Sequence, residues 1–121
     1  MIKTRYREIP SYTTKDGSEI RELMHPAVHG NSNQSLAEAT IPPGHKTKLH
    51  SHQHSEELYH ITAGHGLMQL GEEKFEIRVG DTIAIPPNTT HAVENFGSEP
   101  LVLLCCSAPP YEHEDTELIE G

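Results

Sequence analysis

Short hydrophobic segments alternate along the chain with clusters of glycine, proline, asparagine and serine, and this pattern predicts an all-β protein. Within residues 74–79 polar and apolar side chains alternate strictly, as in a strand with one face in solvent. No segment carries the sustained apolar stripe of a helix. The predicted strands are residues 19–24, 35–41, 46–52, 58–63, 65–70, 74–79, 82–85, 91–95 and 101–107.

The remaining segments and the core follow from the same pattern. Residues 25–35 are expected to form a polar loop. The acidic residues 111–121 are expected to form a loosely held tail with at most one short turn. The predicted core positions are Met68, Phe75, Ile83, Ile85, Val93 and Leu103.

Length and charge narrow the class of protein. The 121 residues fit one domain with one modest core. The formal net charge of −9 argues against nucleic acid and anionic membranes as partners, because both bind surfaces rich in lysine and arginine. No apolar run approaches the roughly 18 residues of a membrane span, and none follows the charged start as in a secretory signal.

The two cysteines are adjacent in sequence. Cys105 and Cys106 point to opposite faces of a predicted strand, which is poor geometry for a disulfide between them. We interpret them as reduced thiols of a cytoplasmic protein and as small core side chains in an apolar segment. A redox role is the alternative.

Three histidines and one glutamate are candidate metal ligands. His50 and His52 are separated by one residue, so in a strand both imidazoles point to the same face. Glu57 opens the next apolar segment, and His91 follows a turn-like stretch rich in proline and threonine. Neutral imidazoles with a carboxylate suit iron, manganese, nickel, copper, cobalt or zinc, and these residue types do not choose among them.

The spacing of these residues resembles the first motif of the cupin superfamily. That motif is a glycine, five residues, His-x-His, three or four residues, a glutamate, six residues and a glycine, and this chain has four residues before the glutamate. In this chain its positions are Gly44, His50, His52, Glu57 and Gly64.

A second stretch resembles the second cupin motif. Asn88 stands where the family usually has glycine, and asparagine tolerates the left-handed conformation that such a turn requires. The matching positions are Gly80, Pro86, Asn88, His91 and Asn95.

The resemblance implies an all-β cupin jelly-roll barrel in one domain, residues 1–121. The barrel core would cover about residues 35–107, with an N-terminal strand segment at 1–34 and the acidic tail at 111–121. It also implies that one divalent metal ion is bound by His50, His52, Glu57 and His91. A homodimer is expected, because the early strand can pair with a partner's sheet.

Several neighbouring residues have competing interpretations. Glu56 is the alternative to Glu57 as a ligand, and strand alternation favours Glu57. His60 should point away from the metal, and His54 should lie exposed at the end of its strand. Both a functional and a structural role are open for five residues. Tyr59 and Gln69 are expected on the inward face as catalytic or substrate-contacting groups. Arg21 and His25 are expected on the early strand, which borders the barrel or a partner subunit, and Lys48 is expected at the barrel mouth.

The resemblance leaves three functions open. The first is a metal-dependent enzyme, for which a dioxygenase reaction is the leading candidate, that acts on a small polar or carboxylated metabolite. The second is an isomerase of a sugar or keto acid, in which the metal polarises a carbonyl. The third is a non-catalytic cupin that binds a small molecule.

Overall fold

The computed structural model describes residues 1–119, and most of their backbone forms antiparallel strands. Within this range no helix is long and apolar enough to span a membrane. Helical structure there consists of α1, Pro26–His29, and two 3₁₀ turns, Tyr6–Glu8 and His113–Asp115. The strands are β1 Ser11–Thr13, β2 Glu19–Met24, β3 Ser35–Ile41, β4 His50–His52, β5 Glu56–Ala63, β6 His65–Leu70, β7 Glu73–Arg78, β8 Thr82–Ile85, β9 His91–Glu94, β10 Leu101–Ala108 and β11 Thr116–Leu118.

The strands form two sheets that enclose a common core. One sheet has the order β1-β2-β3-β10-β5-β8 and the other has the order β11-β4-β9-β6-β7. Strands distant in sequence are therefore neighbours: β4 lies beside β9, and their pairing places His50 directly opposite His91. The topology thus unites the two sequence motifs that contain the candidate ligands.

Apolar side chains from both sheets fill the space between them. Ile61 and Leu103 come from the first sheet, and Met68 and Ile77 come from the second; each is at most 1% exposed. The predicted core is confirmed, with two positions at its margin. Met68, Ile85, Val93 and Leu103 are buried, whereas Phe75 and Ile83 are partly buried and pack against them.

Two segments expected to be irregular are ordered. The prediction of a loosely held tail is wrong, because β11 pairs with β4 and places Thr116 opposite His52. Thr116 is only 5% exposed, so this segment is anchored by burial as well as by backbone hydrogen bonds. Residues 120 and 121 of the predicted tail lie outside the described residues. Within the predicted polar loop, Pro26–His29 forms one helical turn, which ends at Gly30 with a φ of 85°.

Two turn positions explain why the motifs need particular residues. Gly64 has a φ of 76°, and a Cβ atom there would lie 2.4 Å from the carbonyl oxygen of Pro100. Any side chain at Gly64 would therefore displace the neighbouring backbone. Asn88 has a φ of 62°, so it adopts the left-handed conformation expected of an asparagine that replaces glycine in this turn.

Candidate metal centre and its cavity

Three imidazoles meet between the sheets. His50 and His52 come from β4 and His91 comes from β9, and all three are buried. Their ligand atoms lie within 4.8 Å of one another. We call these residues the three-imidazole group. Burial, together with the adjacent His91, lowers the pKa of His50 to about 4. His50 is therefore neutral at pH 7, the form that binds metal ions.

Backbone carbonyls fix the tautomer of two of these histidines. His50 Nδ1 lies 2.7 Å from the carbonyl oxygen of Lys48. His91 Nδ1 lies 2.9 Å from the carbonyl oxygen of Thr89. A carbonyl only accepts hydrogen bonds, so each Nδ1 carries the proton and each Nε2 presents a lone pair.

A hydroxyl group does the same for His52. His52 Nδ1 lies 3.1 Å from Thr116 Oγ1. That hydroxyl donates its one proton to the carbonyl oxygen of Glu112 at 3.0 Å. Thr116 must therefore accept a hydrogen bond from His52 Nδ1, which leaves Nε2 as a lone-pair donor. Such partners orient metal-bound histidines in known sites.

Glu57 lies beside the three-imidazole group with one oxygen held and the other directed at the imidazoles. Its Oε2 accepts hydrogen bonds from Ser107 Oγ at 3.1 Å and Cys105 Sγ at 3.0 Å. Its Oε1 lies 2.9 Å from His52 Nε2 and 3.2 Å from His91 Nε2.

The atoms that face one another at this point are all electron-pair donors. Glu57 Oε1 and His91 Nε2 are buried and have no hydrogen-bond partner. With the proton on Nδ1, the contact brings a carboxylate oxygen against imidazole lone pairs, which repel one another. A cation among these atoms would remove that repulsion, so the donor set fits a divalent metal ion. Glu57, rather than Glu56, is the buried carboxylate of the pair.

Asp16 is a second carboxylate near the histidines, and it was not predicted from the sequence. It lies in the turn between β1 and β2, and its Oδ2 is 3.5 Å from His50 Nε2. Its Oδ1 accepts hydrogen bonds from the backbone amide of Ser18 at 2.9 Å and from the Ser18 hydroxyl at 2.6 Å. Asp16 lies outside both motifs, and the only local signal is an Asp-Gly-Ser turn, which is common in hairpins.

A cavity of about 50 Å³ opens beside these groups. Tyr59 and Cys105 form part of its wall, as do the anchored C-terminal residues Tyr111 and Thr116. The Tyr111 ring packs edge-on against His52, with 5.7 Å between centroids. The volume suits a molecule of a few carbon atoms next to an ion.

The predicted catalytic pair is separated in the structure. Tyr59 lines the cavity, and its ring lies 5.9 Å from that of His91. Gln69 does not line it; the prediction of an inward-facing Gln69 fails because Met68, its neighbour on β6, occupies the inward face. The Gln69 amide instead donates to the carbonyl of Gly71 at 3.2 Å. The left-handed Gly64 between β5 and β6 shifts the alternation by one residue.

The other histidines of this region lie outside the cavity. His60 is exposed, as expected, and its Nδ1 lies 2.8 Å from Thr82 Oγ1. His54 has a side chain that is 75% exposed and pairs with Asp115 at 2.7 Å.

Arg21, His25 and Lys48, whose functional role the sequence left open, make contacts that support the fold. Arg21 donates to the carbonyl of Ile9 and stacks on the ring of Tyr6 at 4.7 Å. His25 caps α1 and bonds the carbonyl of Tyr111 at 2.7 Å, so it helps to hold the C-terminal segment. Lys48 is absent from the described residues that line the cavity, although its backbone carbonyl orients His50.

Residues 37–107 match the family defined by the cupin domain, and they include both motif regions. The chain belongs to the cupin family. Its two antiparallel sheets are those of the cupin barrel, so the predicted fold class is confirmed.

Relatives of this cupin carry different functional names. At 59% identity over 120 residues it is similar to the uncharacterized protein MJ1618 of Methanocaldococcus jannaschii, a match that covers 99% of this chain and 96% of the relative. A Thermotoga maritima structure described as a predicted oxalate decarboxylase has a TM-score of 0.77 at 23% identity and covers 90% of this chain and 98% of that one. The Streptomyces nucleoside dehydratase Pac13 has a TM-score of 0.79 at 18% identity, with 99% and 92% covered. Likeness at these identities shows a common fold and leaves the reaction open.

Proposed function

We propose that this cupin is a metal-dependent enzyme that binds one divalent cation through the three-imidazole group and Glu57 and acts on a small polar molecule. The observation that supports the proposal best is the convergence of Nε2 lone pairs on Glu57 Oε1, which is buried and has no hydrogen-bond donor. A site built only for stability would place a proton donor opposite that carboxylate oxygen.

The side chains around the site have distinct roles in this proposal. Ser107 and Cys105 hold Glu57 through its outer oxygen, and Thr116 holds His52. When bound, the cation would polarise an oxygen of the ligand, and a redox-active ion would add electron transfer. Asp16 and Tyr59 face the cavity as groups that can exchange protons with a ligand.

The pair Asp16 and Tyr59 favours proton transfer among the reactions that a cupin can host. Burial raises the pKa of Tyr59 well above its usual range, and the nearby Glu57 carboxylate acts in the same direction. Tyr59 therefore stays protonated and can donate a hydrogen bond to a ligand oxygen, while the Asp16 carboxylate can accept a proton. We accordingly place isomerisation or elimination ahead of the dioxygenase reaction, which stays a prediction of the family resemblance.

Elemental analysis tests the metal site. Protein purified without added metal, then loaded with iron, manganese, nickel, cobalt, copper and zinc in turn, should hold close to one ion per chain. The Glu57→Ala variant should lose most of it, and the His60→Ala variant should retain it, because His60 is on the outer surface. Wild-type protein that binds none of these ions would refute the proposal.

A second experiment separates the reaction classes. Loaded protein is incubated with small hydroxy and keto compounds in deuterium oxide, and proton loss next to the carbonyl is followed by NMR. Deuterium incorporation that disappears in Tyr59→Phe would support proton transfer. Oxygen uptake by the iron-loaded protein, with no deuterium incorporation, would support a dioxygenase instead.

We also propose a cytoplasmic homodimer. In the described part of the chain β1 and β8 are the edge strands of the larger sheet, so each leaves one side without a strand partner. Light scattering coupled to size-exclusion chromatography would measure the mass: about twice the 13.5 kDa of one chain is expected, and a monomer would contradict it.

A further inference from the structure

The charged groups around the cavity have one sign. Two carboxylates besides Glu57 line it, Asp16 and Glu22. Among the described residues that line it there is no lysine or arginine. Two basic residues adjoin the wall in sequence, and both are engaged elsewhere: Lys15 donates through Nζ to the carbonyl oxygens of His113 and Thr116, and Arg21 donates to that of Ile9.

The acceptor atoms of these two carboxylates are available to a ligand. The Asp16 side chain is 13% exposed, and Ser18 holds its Oδ1, which leaves Oδ2 toward His50. Glu22 accepts a hydrogen bond from the Tyr12 hydroxyl through Oε2 at 3.0 Å. Its Oε1 is buried and has no hydrogen-bond partner. An unpaired buried acceptor costs free energy that a ligand donor would recover.

Hydroxyl groups make up most of the remaining polar wall. Tyr12, Thr14, Tyr59 and Tyr111 line the cavity and each can donate or accept. Burial raises the pKa of Tyr12 and of Tyr111, so both keep their protons at neutral pH. This wall suits a ligand rich in hydroxyl groups and gives no counter-charge to a carboxylate or phosphate.

We propose that the ligand of this cavity is a small, uncharged, polyhydroxylated molecule whose hydroxyl groups donate hydrogen bonds to Asp16 and Glu22. The inference rests on the proposed metal site, because the ion would bind an oxygen of the same ligand. It narrows the proposed function, since it excludes the carboxylated metabolites that the sequence analysis left open. The two carboxylates would repel a dianion such as oxalate even with a divalent ion beside them.

The experiment compares two probes on zinc-loaded protein by isothermal titration calorimetry. Dihydroxyacetone is uncharged and carries two hydroxyl groups; oxalate is a small dianion that chelates open metal sites. The variants are Asp16→Asn, which removes one charge from the cavity, and Glu19→Gln, which removes one charge from the exposed face of the same hairpin. Elemental analysis of each sample reports whether the metal is present.

The wild type should bind dihydroxyacetone more tightly than oxalate. In Asp16→Asn the affinity for oxalate should rise about tenfold, as expected when a full charge a few ångströms away is removed from a partly buried site. Glu19→Gln should leave both affinities within about twofold, because exposed charges are screened.

The opposite results would overturn the inference. In the first, oxalate binds the wild type as tightly as dihydroxyacetone does. In the second, oxalate binds Asp16→Asn no more tightly than it binds the wild type, which includes the case in which oxalate binds neither protein. If the wild type holds no zinc, the titration uses another of the six ions. Failure to hold any of them would refute the metal site itself, which elemental analysis distinguishes from a failure of the ligand class.

Discussion

The two sides of the cavity differ in how they are built. On one side, β4, β5 and β9 contribute the histidines and Glu57 through residues of the two motifs, with short separations and fixed turns. On the other side, the hairpin of β1 and β2 and the C-terminal segment contribute Asp16, Glu22 and Tyr111. In the proposed function the motif side supplies the donor set for an ion together with Tyr59, and the terminal side supplies the other groups that would meet a ligand. One fold can therefore keep its metal site while its terminal segments set the chemistry.

Thr116 connects the two sides. It lies in the terminal strand β11, yet it fixes the tautomer of His52 on the motif side. Single substitutions can therefore test this division. Their effects on metal binding and stability should decrease from the histidines to the terminal segment.

The largest effect is expected on the motif side. His91→Ala removes a buried lone-pair donor opposite Glu57, and the ion content after loading should fall from near one per chain to less than about one tenth. Elemental analysis after gel filtration measures it, and circular dichroism confirms that the variant is folded. His60→Ala is the matched control on the outer face; its loss of metal would contradict the strand register.

A smaller effect is expected at the junction of the two sides. Thr116→Val removes the hydrogen-bond acceptor of His52 Nδ1, so metal affinity should fall about 10- to 100-fold. Competition with a chelator of known affinity measures the change.

The chain offers a close control for Thr116→Val. The Thr82 hydroxyl makes the same type of contact with His60 Nδ1 on the protein's outer surface, at 2.8 Å. Thr82→Val should leave metal affinity unchanged. Equal losses in the two variants would show that Thr116 acts only through general stability.

The smallest effect concerns the anchoring of the C-terminal segment. Asp115 accepts hydrogen bonds from the backbone amides of His54 and Ser55 and contacts the His54 imidazole. Burial raises the pKa of Asp115, but these contacts with His54 and Ser55 outweigh it and lower the pKa from its ordinary value. Asp115→Asn should therefore cost about 1–2 kcal/mol of unfolding free energy at pH 7.

The sign of the pH dependence follows from that lowered pKa. A group with a depressed folded-state pKa stabilises the protein above its unfolded pKa and loses this contribution as the pH falls through the folded value. The difference between wild type and Asp115→Asn in urea unfolding should therefore persist from pH 7 down to about pH 4 and shrink below it. A difference that grows on acidification would contradict the account.

Much of the fold followed from local patterns in the sequence. Nine predicted strands correspond to observed ones, because alternating side chains and glycine or proline turns are local signals. The strand predicted at 46–52 is shorter in the structure. At Thr47 the side-chain hydroxyl, in place of a backbone carbonyl, accepts the hydrogen bond from the Val93 amide at 2.9 Å. The short strands β1 and β11 escaped prediction: β1 is a three-residue strand in a hairpin with β2, and within the described residues β11 pairs only with the distant strand β4.

The candidate site was predictable where its residues belong to motifs and, for Tyr59, where strand alternation extends from a motif residue. His50, His52, Glu57 and His91 were identified from spacing, and the structure brings their side chains together. Asp16 and Thr116 were missed because each reaches the site across more than thirty residues of sequence, a proximity that the sheet order creates. Gln69 was misplaced because alternation was carried through Gly64, whose left-handed backbone reverses it.

The most direct test of the proposed metal site is anomalous diffraction from crystals of the metal-loaded protein, recorded on both sides of the absorption edge of the bound element. We expect one strong anomalous peak at bonding distance from the Nε2 atoms of the three-imidazole group and from Glu57 Oε1. A peak elsewhere, or none at this position in protein that elemental analysis shows to be loaded, would contradict it.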